Sequence, residues 1–178
     1  MLTKSISSYR PDIDGLRALS VLLVLFFHAN IFSVHSGFIG VDIFFVISGF
    51  LITSGIKDSL EKGNFSFIGF FNKRLWRLQP VLIALLIVTA SISSFLFLPE
   101  DFYKYIRSAR YAAGFSSNIY FGSLDSGYFA EDTNIMPLLH TWSLSIEWQW
   151  YLLLPFLMSG FYRVLKIKKW AYWMFPLT

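Results

Sequence analysis

Long apolar runs alternate with short basic stretches along this chain. Four of the runs approach the length a membrane-spanning helix needs: residues 16–33, 38–56, 80–98 and 142–161. A fifth begins from residue 170, at "WAYWMFPLT". The predicted fold class is therefore all-α, a polytopic transmembrane helical bundle of four to five spans. Lys4 and Arg10 precede the first run, as in a signal peptide. No small-residue cleavage site follows and further spans do, so that run is expected to be a retained helix.

The polar positions between the runs set an expected topology. Lys4, Arg10 and Arg17 flank the first run. Lys57, Lys62, Lys73, Arg74 and Arg77 fill the 57–78 loop, and Arg163, Lys166, Lys168 and Lys169 follow the fourth run. The 33–40 turn has no Lys or Arg, and in the 99–141 connection basic residues are offset by acidic ones. Positive-inside reasoning places the N-terminus, the 57–78 loop and the C-terminal basic cluster in the cytoplasm. "FYKYIRSARYAAGFSSNIYF", residues 102–121, is partly apolar but carries three basic residues. It is expected to be an interfacial or re-entrant helix on the outer side, with Tyr103, Tyr105, Tyr111 and Tyr120 suited to the headgroup level.

Composition agrees with this pattern. Hydrophobic residues make up 55% of the 178, charged residues only 15%, and the mean hydropathy is +0.55. An ordinary soluble domain carries about 25% charged residues. Cysteine is absent, which removes disulfides and thiolate metal sites. The net charge of +4 lies between apolar runs rather than on a soluble face, so nucleic acid is not an expected partner.

Several polar residues interrupt the apolar runs, and such groups in a membrane usually face a pathway or a site. Arg17 and His28 are eleven residues apart, so at 100° per residue both fall on one helix face, about 16 Å apart along the axis. Arg17 also suits an interfacial anchor and His28 an interhelical hydrogen bond. Asp42 opens the second run, where the helix dipole favours it and where it nears the level of His28. Gly37, Gly40, Gly49 and Gly55 suit close helix packing. Arg74 and Arg77, three residues apart, share a helical face among Phe67, Phe70, Phe71 and Trp76. They fit either a lipid-headgroup anchor or a clamp for a phosphorylated ligand. Glu147 and Gln149 lie in the outer half of the fourth run. Ser143 and Ser145 can bond back to the helix backbone. The polar residues thus form two expected layers: His28, Asp42 and Glu147 toward the outside, Arg17, Arg74 and Arg77 at the cytoplasmic side.

"RPDIDGLRALSVLLVLFFH", "GFIGVDIFFVISGFLI", "KRLWRLQP" and "PLLHTWSLSIEWQWYLLLP", in this order and spacing, resemble the acyltransferase-3 family. The nearest subgroup is that of bacterial membrane O-acetylases acting on lipopolysaccharide or peptidoglycan sugars. The resemblance covers residues 9 to about 158. It implies a multi-pass protein of the bacterial cell (inner) membrane that uses cytoplasmic acyl-CoA, usually acetyl-CoA, to acylate a cell-envelope glycan. The family's first-helix arginine and histidine fall on Arg17 and His28, and its paired basic residues on Arg74 and Arg77. Its second-helix aspartate falls on Asp42, and its tryptophan-serine-leucine-glutamate motif on Trp142, Ser143 and Glu147. The usual continuation is glutamate, glutamine, phenylalanine, tyrosine. Here it is Trp148, Gln149, Trp150, Tyr151, with one acidic position lost.

On this resemblance Arg17, Arg74 and Arg77 bind the donor phosphates and His28 is the general base, or carries the acyl group transiently. Asp42 or Glu147 orients or charge-stabilises the imidazole. Trp142 and Ser143 contact substrate, and no metal is required. The family's membrane domain normally holds more helices and often an extracytoplasmic hydrolase-like domain. The chain is therefore expected to be the N-terminal part of a larger acyltransferase domain, from a truncated product, a split gene or a partial sequence. Its partners would be membrane lipids, the glycan and a missing C-terminal half. A second reading is a proton- or solute-coupled transporter using His28, Asp42 and Glu147 as a relay. A third is a structural fragment inactive by itself.

Overall fold

The computed structural model describes residues 10–29, 31, 36–124 and 136–165. These residues form six helices and no strand: α1 (Pro11–His28), α2 (Ile39–Glu61), α3 (Phe67–Leu96), α4 (Pro99–Ala113), α5 (Ser117–Gly122) and α6 (Thr141–Leu165). The expected all-α class is what the chain adopts. The run from residue 170 and the basic residues 166–169 lie outside the described residues.

Boundaries shift where capping chemistry outweighs the apolar pattern. Helix α1 starts ahead of its apolar run, because Pro11 presets the first turn and Asp12 and Asp14 favour the positive end of the helix. It ends at His28 rather than near residue 33. Helix α3 reaches back to Phe67 instead of starting at 80. Ser66 caps it by accepting from the Gly69 backbone N–H at 3.2 Å, and Pro80 is accommodated inside it. The expected 57–78 loop is thereby reduced to residues 62–66, and Arg74 and Arg77 stand on a helix, as their spacing predicts. Helix α6 likewise carries an interior proline, Pro155.

Among the described residues two helices, α2 and α3, are long and apolar enough to cross a membrane, each with a window of mean hydropathy 2.0. This is fewer than the expected four to five spans. The reason for α1 is visible in its composition, since its 18 residues include Asp12, Asp14 and Arg17. The first half of α6 is diluted by Ser143, Ser145, Glu147 and Gln149. Much of α3 is apolar and exposed: Val81 is 71% accessible and Phe95 89%.

The chain divides into two compact units between Ser54 and Gly55. In the first, α1 and the start of α2 approach closely at two glycines. A Cβ at Gly37 would overlap the Leu23 carbonyl oxygen and Phe27, and one at Gly40 would overlap the Ser20 carbonyl oxygen. The expectation of glycine-mediated helix packing is met at these two positions, whereas nothing lies near Gly49 or Gly55.

The second unit begins with the end of α2, which closes in a left-handed turn. Gly63 takes φ +69, and the Asn64 N–H reaches the Ser59 carbonyl at 3.1 Å. Only Phe97 and Leu98 connect α3 to α4. The Tyr105 hydroxyl meets the Leu86 carbonyl and the Thr89 hydroxyl, each at 3.0 Å, so α4 runs back along α3. The 102–121 segment is therefore not one helix but two, α4 alongside α3 and a short α5. The break repeats the α2 turn with an unusual residue. Phe115 takes φ 51 where glycine is the rule, while the Ser116 N–H bonds the Tyr111 carbonyl at 2.9 Å. The Phe115 ring stacks on Trp148 at 4.8 Å, and its carbonyl accepts from Gln149 Nε2 at 3.2 Å.

Helix α5 is held to α6 by buried polar contacts. The Ser117 and Ser145 hydroxyls are 2.7 Å apart, Thr141 Oγ1 donates to Ser117 Oγ at 2.9 Å, and Asn118 and Gln149 exchange two amide hydrogen bonds. Beneath them Tyr105, Ala112, Tyr120, Phe121, Leu138 and Leu139 form the apolar core. The rings of Phe67 and Phe156 stack at 5.0 Å, and Arg74, further along α3, meets Tyr151, earlier on α6, so the two helices run antiparallel.

Candidate functional site

In the first unit His28 is the last residue of α1. Its Nδ1–H donates to the Val24 carbonyl at 2.8 Å, and Phe27 meets the ring edge-on at 5.1 Å. With Nδ1 carrying the proton, the lone pair of the neutral ring falls on Nε2, the form a general base requires. The orienting acceptor at Nδ1 is thus a backbone carbonyl one turn earlier. Arg17 lies on the same face, with Nη1 3.7 Å from Asp14 and with Nε shielded from solvent and without a hydrogen-bond partner. Asp42 is exposed in the first turn of α2, where the dipole favours a carboxylate.

In the second unit α3 and α6 bring together residues the sequence had kept in separate layers. Arg74 lies against two rings, its Cζ 5.3 Å from the centroid of Phe70 and 5.6 Å from that of Tyr151. The Tyr151 hydroxyl donates to Glu147 Oε1 one turn earlier on α6. Arg77, one turn beyond Arg74, is within electrostatic reach of the same phenol. Glu147 is therefore one side chain away from Arg74, not a membrane half apart. The expected separation fails because Arg74 sits on the side of α3, and antiparallel α6 passes it at Tyr151.

Arg74 Nε is shielded from solvent and without a hydrogen-bond partner, like that of Arg17. A buried N–H without an acceptor costs about 1–3 kcal/mol. A phosphate or carboxylate oxygen approaching the guanidinium edge would recover it. Trp142 packs at the margin of the apolar core, and the Ser143 hydroxyl donates to the His140 carbonyl at 3.1 Å. Ser145 donates to the Thr141 carbonyl at 3.1 Å, the back-bonding its type predicts.

Sequence reasoning passed over Tyr151. Its spacing from Glu147, four residues along a helix, was the available signal. The apolar run around it hid that pairing.

The acyltransferase-domain family matches residues 10–178. An uncharacterized protein of Haemophilus influenzae is 40% identical over 122 residues, covering 68% of this chain and 49% of its own. The O-acetyltransferase OatA of Staphylococcus aureus (strain NCTC 8325) is 39% identical over 152 residues, covering 85% of this chain and 25% of its own. The chain thus spans about half the length of the first relative and about a quarter of the second. No solved structure matches it. The match over nearly the whole chain, which carries the Arg17/His28, Asp42, Arg74/Arg77 and Glu147 motifs in order, places the chain in the acyltransferase-3 family.

Proposed function

We propose that the chain forms part of a membrane O-acyltransferase that moves an acyl group, acetyl in the first instance, from acyl-CoA to a hydroxyl of a cell-envelope glycan. The observation that carries this reading is Arg74, held by two aromatic rings with an unfilled N–H donor beside the Glu147–Tyr151 pair. Family membership and the name of the S. aureus relative support acyl transfer to an oxygen, acetyl in particular.

In this reading Arg74, Arg77 and Arg17 bind the phosphates of acyl-CoA. His28 Nε2 takes the proton of the acceptor hydroxyl as its oxygen bonds to the acyl carbon. The carbon–sulfur bond breaks, and the departing thiolate recovers that proton from the imidazolium. Asp42 or Glu147 orients or charge-stabilises the imidazole. Trp142 and Ser143 are assigned to the acceptor side. Helices α1 and α6 cross the cell membrane together with α2 and α3, with the N-terminus in the cytoplasm, as the distribution of Lys and Arg favours.

Purified protein in lipid nanodiscs, given acetyl-CoA labelled in the acetyl group and an envelope glycan extract, tests the proposal. Label moves to glycan, and His28→Ala lowers the rate by about 10²–10⁴. Wild-type transfer by the His28 variant removes that residue from the mechanism. Absence of transfer by these residues, restored when downstream helices are supplied, favours the inactive-fragment reading, and absence with the downstream helices present removes the function.

A further inference from the structure

Tyr151 is where the polar groups of the second unit converge. It is only 2% exposed, and Glu147 7%. Its hydroxyl donates to Glu147, its ring lies under Arg74, and Trp148 meets it edge-on at 6.3 Å. We infer that Tyr151 is a positioning residue, whose hydroxyl fixes the Glu147 carboxyl while its ring fixes the Arg74 guanidinium. The inference rests on the reading of Arg74 as a donor-binding residue.

A guanidinium and a carboxylate that both reach Tyr151 in a shielded site have an ion pair as their alternative arrangement. A bidentate pair would occupy two of the five Arg74 N–H groups and offset the positive charge that Arg74 presents to a phosphate. The phenol prevents this from both sides. Its O–H occupies a Glu147 oxygen with a neutral donor, and its π face holds Arg74 without consuming any of its N–H groups. Ion pairs among the described residues include Arg10–Asp12, Arg17–Asp14 and Lys104–Asp101, and Arg74 is in none of these. The two functions of Tyr151 are separable by substitution. Phenylalanine keeps the ring and removes the hydroxyl, whereas leucine removes both.

The test uses the full chain in nanodiscs, labelled acetyl-CoA as donor, and dicyclohexylcarbodiimide as a probe of the Glu147 carboxyl read by mass spectrometry. Tyr151→Phe is expected to lower kcat about tenfold with KM for acetyl-CoA unchanged, since the ring still holds Arg74. Carbodiimide labelling of Glu147 is expected to rise with no change in melting temperature. Tyr151→Leu is expected to raise KM as well. Wild-type labelling in Tyr151→Phe overturns the inference, and so does a fall in kcat that only tracks a fall in melting temperature. Increased labelling in a protein that transfers no acetyl group even with downstream helices supplied supports the positioning and sinks the acyl-transfer reading.

Discussion

Arg10 binds Asp12 with two guanidinium nitrogens, at 2.9 and 2.7 Å, and this hydrogen bonding holds the Asp12 carboxyl down at about 2. A carboxylate with a lowered pKa contributes stability above the ordinary carboxyl range and loses it as pH falls through the lowered value. Both partners are exposed, so the effect on stability is small. The titration itself is the measurable quantity. Carbon-detected NMR of Asp12 should show a midpoint near 2, and Arg10→Ala should return it toward the ordinary aspartate value. A wild-type midpoint already in the ordinary range contradicts the pairing. At Gly40 the expectation is larger. Alanine there meets the Ser20 carbonyl oxygen and Val24 and should cost about 1–3 kcal/mol by overpacking. Gly49→Ala meets nothing and should stabilise by up to about 1 kcal/mol. Thermal melts of the two variants must move in opposite directions. The individual chemical groups were legible in the sequence because type and spacing reveal them: a histidine and an arginine on one face, glycines in series, two arginines three residues apart. Partners contributed by a distant element were not legible, which is why Glu147 was separated from Arg74.

At the scale of elements, the turn between α4 and α5 carries the sharpest prediction. A non-glycine residue in the left-handed region costs about 1–2 kcal/mol. Phe115 is retained there because its ring covers Trp148 and its carbonyl receives Gln149. Phe115→Gly removes the backbone cost and the ring together, whereas Phe115→Ala removes the ring and keeps the cost. Stability should therefore rank Phe above Gly and Gly above Ala, by chemical or thermal unfolding, and Ala at or above Gly would remove backbone strain from the explanation. The existence of helices was plain from apolar run length. Their limits were not, because Ser66, Pro11 and Phe115 act through backbone geometry that leaves no mark on the hydrophobic pattern. The 102–121 segment looked like one partly apolar helix for the same reason. Its break depends on a residue whose type argues against the conformation it adopts.

For the whole molecule the main question is what solvates α3. Its exposed side chains include Val81, Ile87, Val88 and Ile92. This much apolar area is stable facing lipid and costly facing water. Val88→Arg near the middle of the apolar stretch should reduce membrane insertion by about 2.5–3.5 kcal/mol, read as a fall in the carbonate-resistant fraction. Unchanged insertion would mean that this face of α3 does not meet hydrocarbon. The two interior prolines bear on the same question. Pro80 and Pro155 have no N–H, so the carbonyls of Trp76 and Tyr151 lack their helical donors. Both oxygens belong to residues at or beside the Arg74–Tyr151 contact, on opposite helices. Hydrocarbon supplies no donor for them. The level at which α3 and α6 pass each other is thus a place where water, or the hydroxyl of a bound molecule, is at home between two otherwise oily helices.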